Sequence, residues 1–249
     1  GALALHWPSR RVRLGAAGFA LVAAACLLLT FSRGGYLALA VIAVGLALTH
    51  RRRWPLLIGG AVVAVALLQI PLVGHRVRSE IDLSNPRNTL VGRFQLWKAA
   101  LAMLRAHPLF GAGLSGFPTR LSPYWNPTHT DRFQYPHNIL LNAWTETGLL
   151  GVVSFAWILV AAVARSWNGW RRGASGWRAI QLGVLLAVVA IVVHGLVAVP
   201  YWKNDLSLEF WVLIGLTVAR PAQPGSADAR SNEALPDGRN PARRSRSAS

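Results

Sequence analysis

Acidic side chains are scarce in this chain. Across 249 residues, 9 Asp and Glu stand against 26 Lys and Arg, a formal net charge of +17. Such an excess points to an anionic partner, either nucleic acid or the phosphate-bearing surface of a membrane. Charge of either sign is itself thin. Only 14% of the residues are charged, where a soluble domain carries nearer a quarter. The single cysteine, Cys26, sits in an apolar run. An internal disulfide, a cysteine-based zinc site and a redox pair are thereby excluded. No Asp-x-Asp pair or His/Asp/Glu cluster suggests a metal. No G-x-x-x-x-G-K-[ST] or G-x-G-x-x-G stretch suggests nucleotide binding. "GAGLSG" is no nucleophile elbow either, because no strand precedes Ser115 and the glycine spacing differs. No cofactor is expected.

Apolar length is what the chain does have. It is 53% hydrophobic with a mean hydropathy of +0.37, and the long apolar runs favour lipid over nucleic acid as the anionic partner. Crossing a bilayer takes about 17–25 apolar residues. Candidate spans cover 14–31, 36–49, 54–73, 139–164, 179–199 and 206–219, of which the second and sixth are short. The fold class expected is all-α, a polytopic transmembrane bundle of about six spans.

Arginines set its orientation, since short Lys/Arg-rich loops stay cytoplasmic. Arg10, Arg11 and Arg13 precede span one, and Arg51, Arg52 and Arg53 separate spans two and three. Arg165, Arg171, Arg172 and Arg178 separate spans four and five, and Arg220 opens the tail. With six spans all four clusters fall on one side. The expected division is spans one to three in 1–73, a long external loop in 74–136, spans four to six in 137–219, and a disordered basic tail in 220–249.

The loop contains a helical pattern. Phe94, Trp97, Leu101 and Leu104 recur at spacings of three and four, and Pro108 ends the run. An amphipathic helix lying on lipid accounts for this pattern. Arg93, in its first turn, is unfavoured by the helix dipole and so is better placed to face a partner. Tyr124, Trp125, Phe133 and Tyr135 suit either sugar stacking or an interfacial belt.

Polar residues at membrane depth are candidates for function. Arg33, in "LTFSRGGYLAL", lies on the outer side, where arginine is not the usual anchor. In "HNILLNAWTETGLLG", Asn138, Asn142, Thr145 and Glu146 share one stripe of a helix opening near His137. That stripe must face protein or a wet cavity. Gly148 and Gly151 would let another helix approach. His137, at its mouth, has the ordinary pKa of a general base.

Three pieces of this sequence together resemble the O-antigen ligase family of bacterial membrane proteins, which includes O-antigen polymerases. They are "LTFSRGGYLAL", "GRFQLWKAALAMLRAHPLFGAGLSGF" and "HNILLNAWTETGLLG", which lie in order between residues 30 and 151. The resemblance implies a metal-independent glycosyltransferase of the bacterial inner membrane with a periplasmic active face. Its donor would be a glycan on undecaprenyl diphosphate, and its acceptor a lipid A–core sugar in ligases or a growing glycan in polymerases. Carried over by position, Arg33 and Arg93 would hold the diphosphate and His137 would activate the acceptor hydroxyl. Asn138, Asn142 and Glu146 would support that base or wall the acceptor cleft. Family members carry more spans before the Ser-Arg-Gly turn, so the resemblance also implies an N-terminally truncated member. Two other classes stand beside this one. A transporter of lipid-linked glycans would show repeated or interrupted helices, and a structural subunit would pack the polar stripe dry.

Overall fold

The computed structural model describes residues 1–30, 32–69, 74, 89–125, 133–199 and 204–219. Most of these residues are helical, with no β-strand among them. The expected tail, the turn at 201–203, loop residues 75–88 and 126–132 and the Arg33 side chain lie outside the described residues. In chain order the helices are α1 (Ala2–His6), α2 (Arg10–Leu29), α3 (Arg33–Thr49), α4 (Arg53–Leu68), α5 (Thr89–Ala106), α6 (Phe117–Leu121), α7 (Ile139–Arg172), α8 (Ser175–Gly195) and α9 (Asn204–Val218).

Three of them, α2, α7 and α8, are long and apolar enough to cross a bilayer; α3, α4 and α9 contain shorter apolar stretches. Their apolar faces point outward, as in a membrane bundle rather than a soluble one. Phe19 is 78% exposed and Trp157 74%. In water such a surface would be a large patch seeking cover; in lipid it is the contact surface. The six helices overlie the six expected spans.

Helix α8 is the hub, packing against α1, α3, α7 and α9. The main core joins Ile139, Ala143, Phe155 and Leu159 of α7 to Val184 and Val188 of α8 and Phe210 of α9. At the opposite end from Gly195, Gln181 of α8 donates from Nε2 to the Leu216 carbonyl of α9. That bond satisfies an amide nitrogen in a helix otherwise rich in Val and Leu.

Helix α7 is not continuous. Gly148 has φ 75° and ψ −172° inside it, a conformation open only to glycine without strain. The break redirects the chain. Ile139 abuts Gly195, and Gly169 abuts Gln181. On straight helices those contacts would lie about 45 Å apart along α7 but about 21 Å along α8, at 1.5 Å per residue. The nine residues before Gly148 must therefore turn off the axis of the rest. Residues 149–172 alone, about 36 Å long, exceed the roughly 30 Å hydrocarbon thickness.

A second, smaller core lies beneath α5. It joins Leu96, Ala99, Ala100, Met103 and Leu104 to Phe117 and Leu121 of α6, with Leu141 and Trp144 of α7 against it. The buried face of α5 thus differs from the one its aromatics suggest. Phe94 is 57% exposed and Leu101 39%, whereas Leu96 and Met103 are fully enclosed. Small alanines let α5 approach its neighbours closely, which its bulky aromatics could not. Helix α5 also starts earlier than its sequence pattern suggests, at Thr89, so Arg93 falls in its second turn.

Candidate functional site

Three chain segments meet at the end of the bundle where α3 and α7 begin and α8 finishes. The first is the α2–α3 turn. Thr30 closes α2 by donating from Oγ1 to the Leu27 carbonyl. Ser32 then caps α3, its hydroxyl accepting from the Gly35 N–H at 3.2 Å and its carbonyl from the Tyr36 N–H at 2.9 Å. Serine at this position satisfies amides that the helix cannot. Tyr36 ties the turn down by donating from its hydroxyl to the Leu28 carbonyl at 2.7 Å. Arg33 is therefore the first residue of α3, and Gly34 packs directly on the imidazole of His194 in α8.

The second segment enters α7. Pro136 is fully buried, and its carbonyl accepts from Trp97 Nε1 of α5 at 2.8 Å. His137 follows with φ 51°, a left-handed conformation that costs a β-carbon residue energy. Its ring lies 4.6 Å from the Tyr135 ring centroid and 5.7 Å, edge to face, from that of Phe133. Phe133 in turn meets Trp125 edge to face. Of the four loop aromatics, Phe133 and Tyr135 therefore enclose His137, and Trp125 backs Phe133.

Asn138 is the N-cap. Its Oδ1 accepts from the Leu140 and Leu141 N–H groups at 3.1 and 3.0 Å, and its Nδ2 donates to the Leu196 carbonyl at 3.1 Å. This one side chain starts α7 and fastens it to the end of α8.

The third contribution is Arg93 on α5. It lies four residues before Trp97, whose bond to the Pro136 carbonyl brings this helix to the residue before His137. Burial holds Arg93 below the usual guanidinium range. Burial also lowers the His137 pKa, and the Arg93 charge lowers it further. The physical result is a neutral imidazole at neutral pH, free to accept a proton.

Deeper along α7 the polar stripe is enclosed by protein. Asn142 and Thr145 have no exposed surface and Glu146 is 8% exposed. Thr145 donates to the Asn142 carbonyl at 3.0 Å. Glu146 accepts from the backbone N–H of Ser115 at 2.7 Å. Neither amide atom of Asn142 has a hydrogen-bond partner among the described residues.

The loop between α5 and α6 docks onto the α7 break. Ala112 donates its N–H to the Thr145 carbonyl at 2.7 Å, and Leu149 donates to the Leu109 carbonyl at 3.0 Å. Trp144 donates from Nε1 to the Pro108 carbonyl at 2.8 Å. A methyl group on Gly148 would strike the Leu109 carbonyl, and one on Gly111 the Trp144 and Thr145 carbonyls. Gly148 thus receives a loop rather than a neighbouring helix, and Gly151 faces Thr147 of its own helix. Non-helical backbone at membrane depth needs such protein cover.

The helix carrying Arg93 is thus bonded beside His137, and the turn that carries Arg33 packs on His194, two residues before the Leu196 carbonyl that holds Asn138. Asn138, Asn142 and Glu146 are placed along α7 as a cap, an unpaired amide and a loop latch. The sequence reading missed His194. Its signal was an ionisable ring in "AIVVHGLVAV", an otherwise apolar run.

Residues 17–156, more than half the chain, match the family model described as O-antigen ligase. No curated protein matches the chain. The matched span includes Arg33, Arg93 and His137 and ends before His194.

Proposed function

The chain belongs to the O-antigen ligase family of membrane glycosyltransferases, and on that premise we propose that it moves a glycan from undecaprenyl diphosphate to an acceptor hydroxyl. The proposed setting is the periplasmic face of a bacterial inner membrane, with the external loop and the α3, α7 and α8 ends on that face. The observation that supports this reading is the bond from Trp97 to the Pro136 carbonyl, which ties the helix carrying Arg93 to the residue before His137, within the stretch that matches the family model.

Each group has a task in such a transfer. The acceptor oxygen bonds to the anomeric carbon while the bond from that carbon to the diphosphate oxygen breaks. The bonding pair leaves with the diphosphate, and the hydroxyl proton passes to His137. Negative charge grows on the leaving group. Arg33 and Arg93 supply fixed donors for it, at guanidinium geometry matched to phosphate oxygens. Removing one such preorganised donor costs about 10²–10³ in rate. Arg93 serves both ends of the reaction: it meets the leaving charge and keeps the base unprotonated.

Asn138 and Glu146 act by placement. The first fixes the helix that follows His137; the second holds the loop against the α7 break. The break itself could suggest a transporter, where interrupted helices offer backbone groups to a passing ligand. Here Ala112 and Leu109 already engage the Thr145 carbonyl and Leu149 N–H, which favours a fixed scaffold over a path.

Profiling the surface polysaccharide of a deletion strain tests the reading. A ligase predicts lost attachment, with polymer accumulating on its carrier. Single-repeat products would assign the chain to the polymerases, and an unchanged profile would contradict both.

A further inference from the structure

Three successive residues where α8 finishes each meet a different part of the site. The His194 ring occupies the space beside Gly34, where an added β-carbon would collide with its Cδ2 and lie 2.7 Å from its Nε2. Gly195 is bare where Ile139 of α7 presses in. The Leu196 carbonyl accepts from Asn138. Helix α8 therefore gathers the opening turns of both α3 and α7. Of these three contacts only the first uses a side chain of α8.

We propose that His194 is a positioning residue of the transfer site, the post that seats the Ser-Arg-Gly turn so that Arg33 and Arg93 address one diphosphate. A flat ring edge lets the α3 backbone come close, and glycine at 34 completes the fit. A smaller side chain at 194 lets the turn sink; a larger one at 34 pushes it outward. Either change moves the start of α3, and with it the point from which Arg33 departs. His194 lies outside the span that matches the family model, so the inference comes from packing alone. It rests on the transfer reading proposed above.

A double-mutant cycle on the full chain in vesicles tests it, with G34A, H194A and the pair G34A/H194A. Transfer from lipid-linked donor is measured under saturating and limiting acceptor. Each single variant is expected to lose about ten-fold or more in kcat, with acceptor KM within about two-fold, as expected for misplaced charge rather than lost acceptor binding. The pair is expected to be no slower than the slower single, because both changes break one contact. Wild-type rates in H194A, or losses that multiply in the pair, overturn the proposal. A second measurement guards against unfolded variants and is independent of transfer. In a C26S background, G34C and H194C are expected to cross-link under mild oxidation in intact membranes. Absence of the cross-link in correctly inserted protein also overturns the proposal. A wild-type chain that transfers nothing would sink the proposed function while leaving the cross-link result to decide how the turn is seated.

Discussion

The backbone N–H of Ser115 donates to the Glu146 carboxylate at 2.7 Å, joining the α5–α6 loop to a helix residue 31 positions later. Ser115 holds φ 58° to make that contact, so the loop accepts local strain to reach the carboxylate. Replacing Glu146 by Ala leaves a part-buried N–H unpaired, at a cost of about 1–3 kcal/mol. The expected outcome is a lower melting temperature in detergent and faster proteolysis within 107–116. Gln, which keeps an acceptor oxygen, is expected to lose less than half as much. Equal losses for the two variants would show that the hydrogen bond is not what matters at Glu146.

Gly111 and Gly148 both hold positive φ, and each faces a carbonyl of the other's segment. G148A and G111A each combine backbone strain with a collision, so each is expected to destabilise by about 2 kcal/mol or more. Their effects should not add, since either one alone undocks the loop. Denaturation midpoints of the two singles and the pair check this.

Asn142 is fully buried with neither amide atom paired among the described residues. Leu has the same branched outline and no polar atoms to leave unsatisfied, but it is bulkier, so the gain from removing an unpaired amide offsets part of the overpacking and N142L is expected to stay within about 1–3 kcal/mol of wild type. If Asn142 serves substrate, transfer falls while the protein stays folded. Unchanged transfer in a stable N142L would remove this residue from the site.

The pH dependence follows from the His137 shift. Burial first, and the Arg93 charge second, lower its pKa below the ordinary 6.5. A base works only when deprotonated, so kcat/KM should rise with pH through that lowered pKa and level off above it. Removing Arg93 takes away one lowering influence. In R93A the residual activity should therefore show its acid limb shifted to higher pH. A limb that stays put or moves down would contradict the electrostatic link between the two residues.

The helical bundle was legible because the bilayer imposes it: long apolar runs and arginine clusters have few other solutions. Asn138 was visible as a polar residue, but not as the N-cap that also fastens α8, because Leu196 is 58 residues away. The Gly148 break was hidden for the same reason. Glycine in an apolar helix serves close packing or a left-handed kink equally well, and only the approach of Leu109 decides between them. The α5 face was misjudged because aromatic spacing outweighed the small residues Ala99 and Ala100, whose packing depends on partners outside the helix. His194 stands alone in an apolar run, and the contact that gives it a place, with Gly34, lies on another helix about 160 residues away in sequence.

The most direct measurement of the central claim is transfer from undecaprenyl-diphosphate-linked glycan by the full chain in vesicles, comparing wild type with R33A, R93A and H137A. Each variant is expected to insert normally and to lose about 10²–10³ in rate, as for loss of a preorganised charge or base at the reacting centre. Transfer at the wild-type rate in all three would contradict a site built from Arg33, Arg93 and His137.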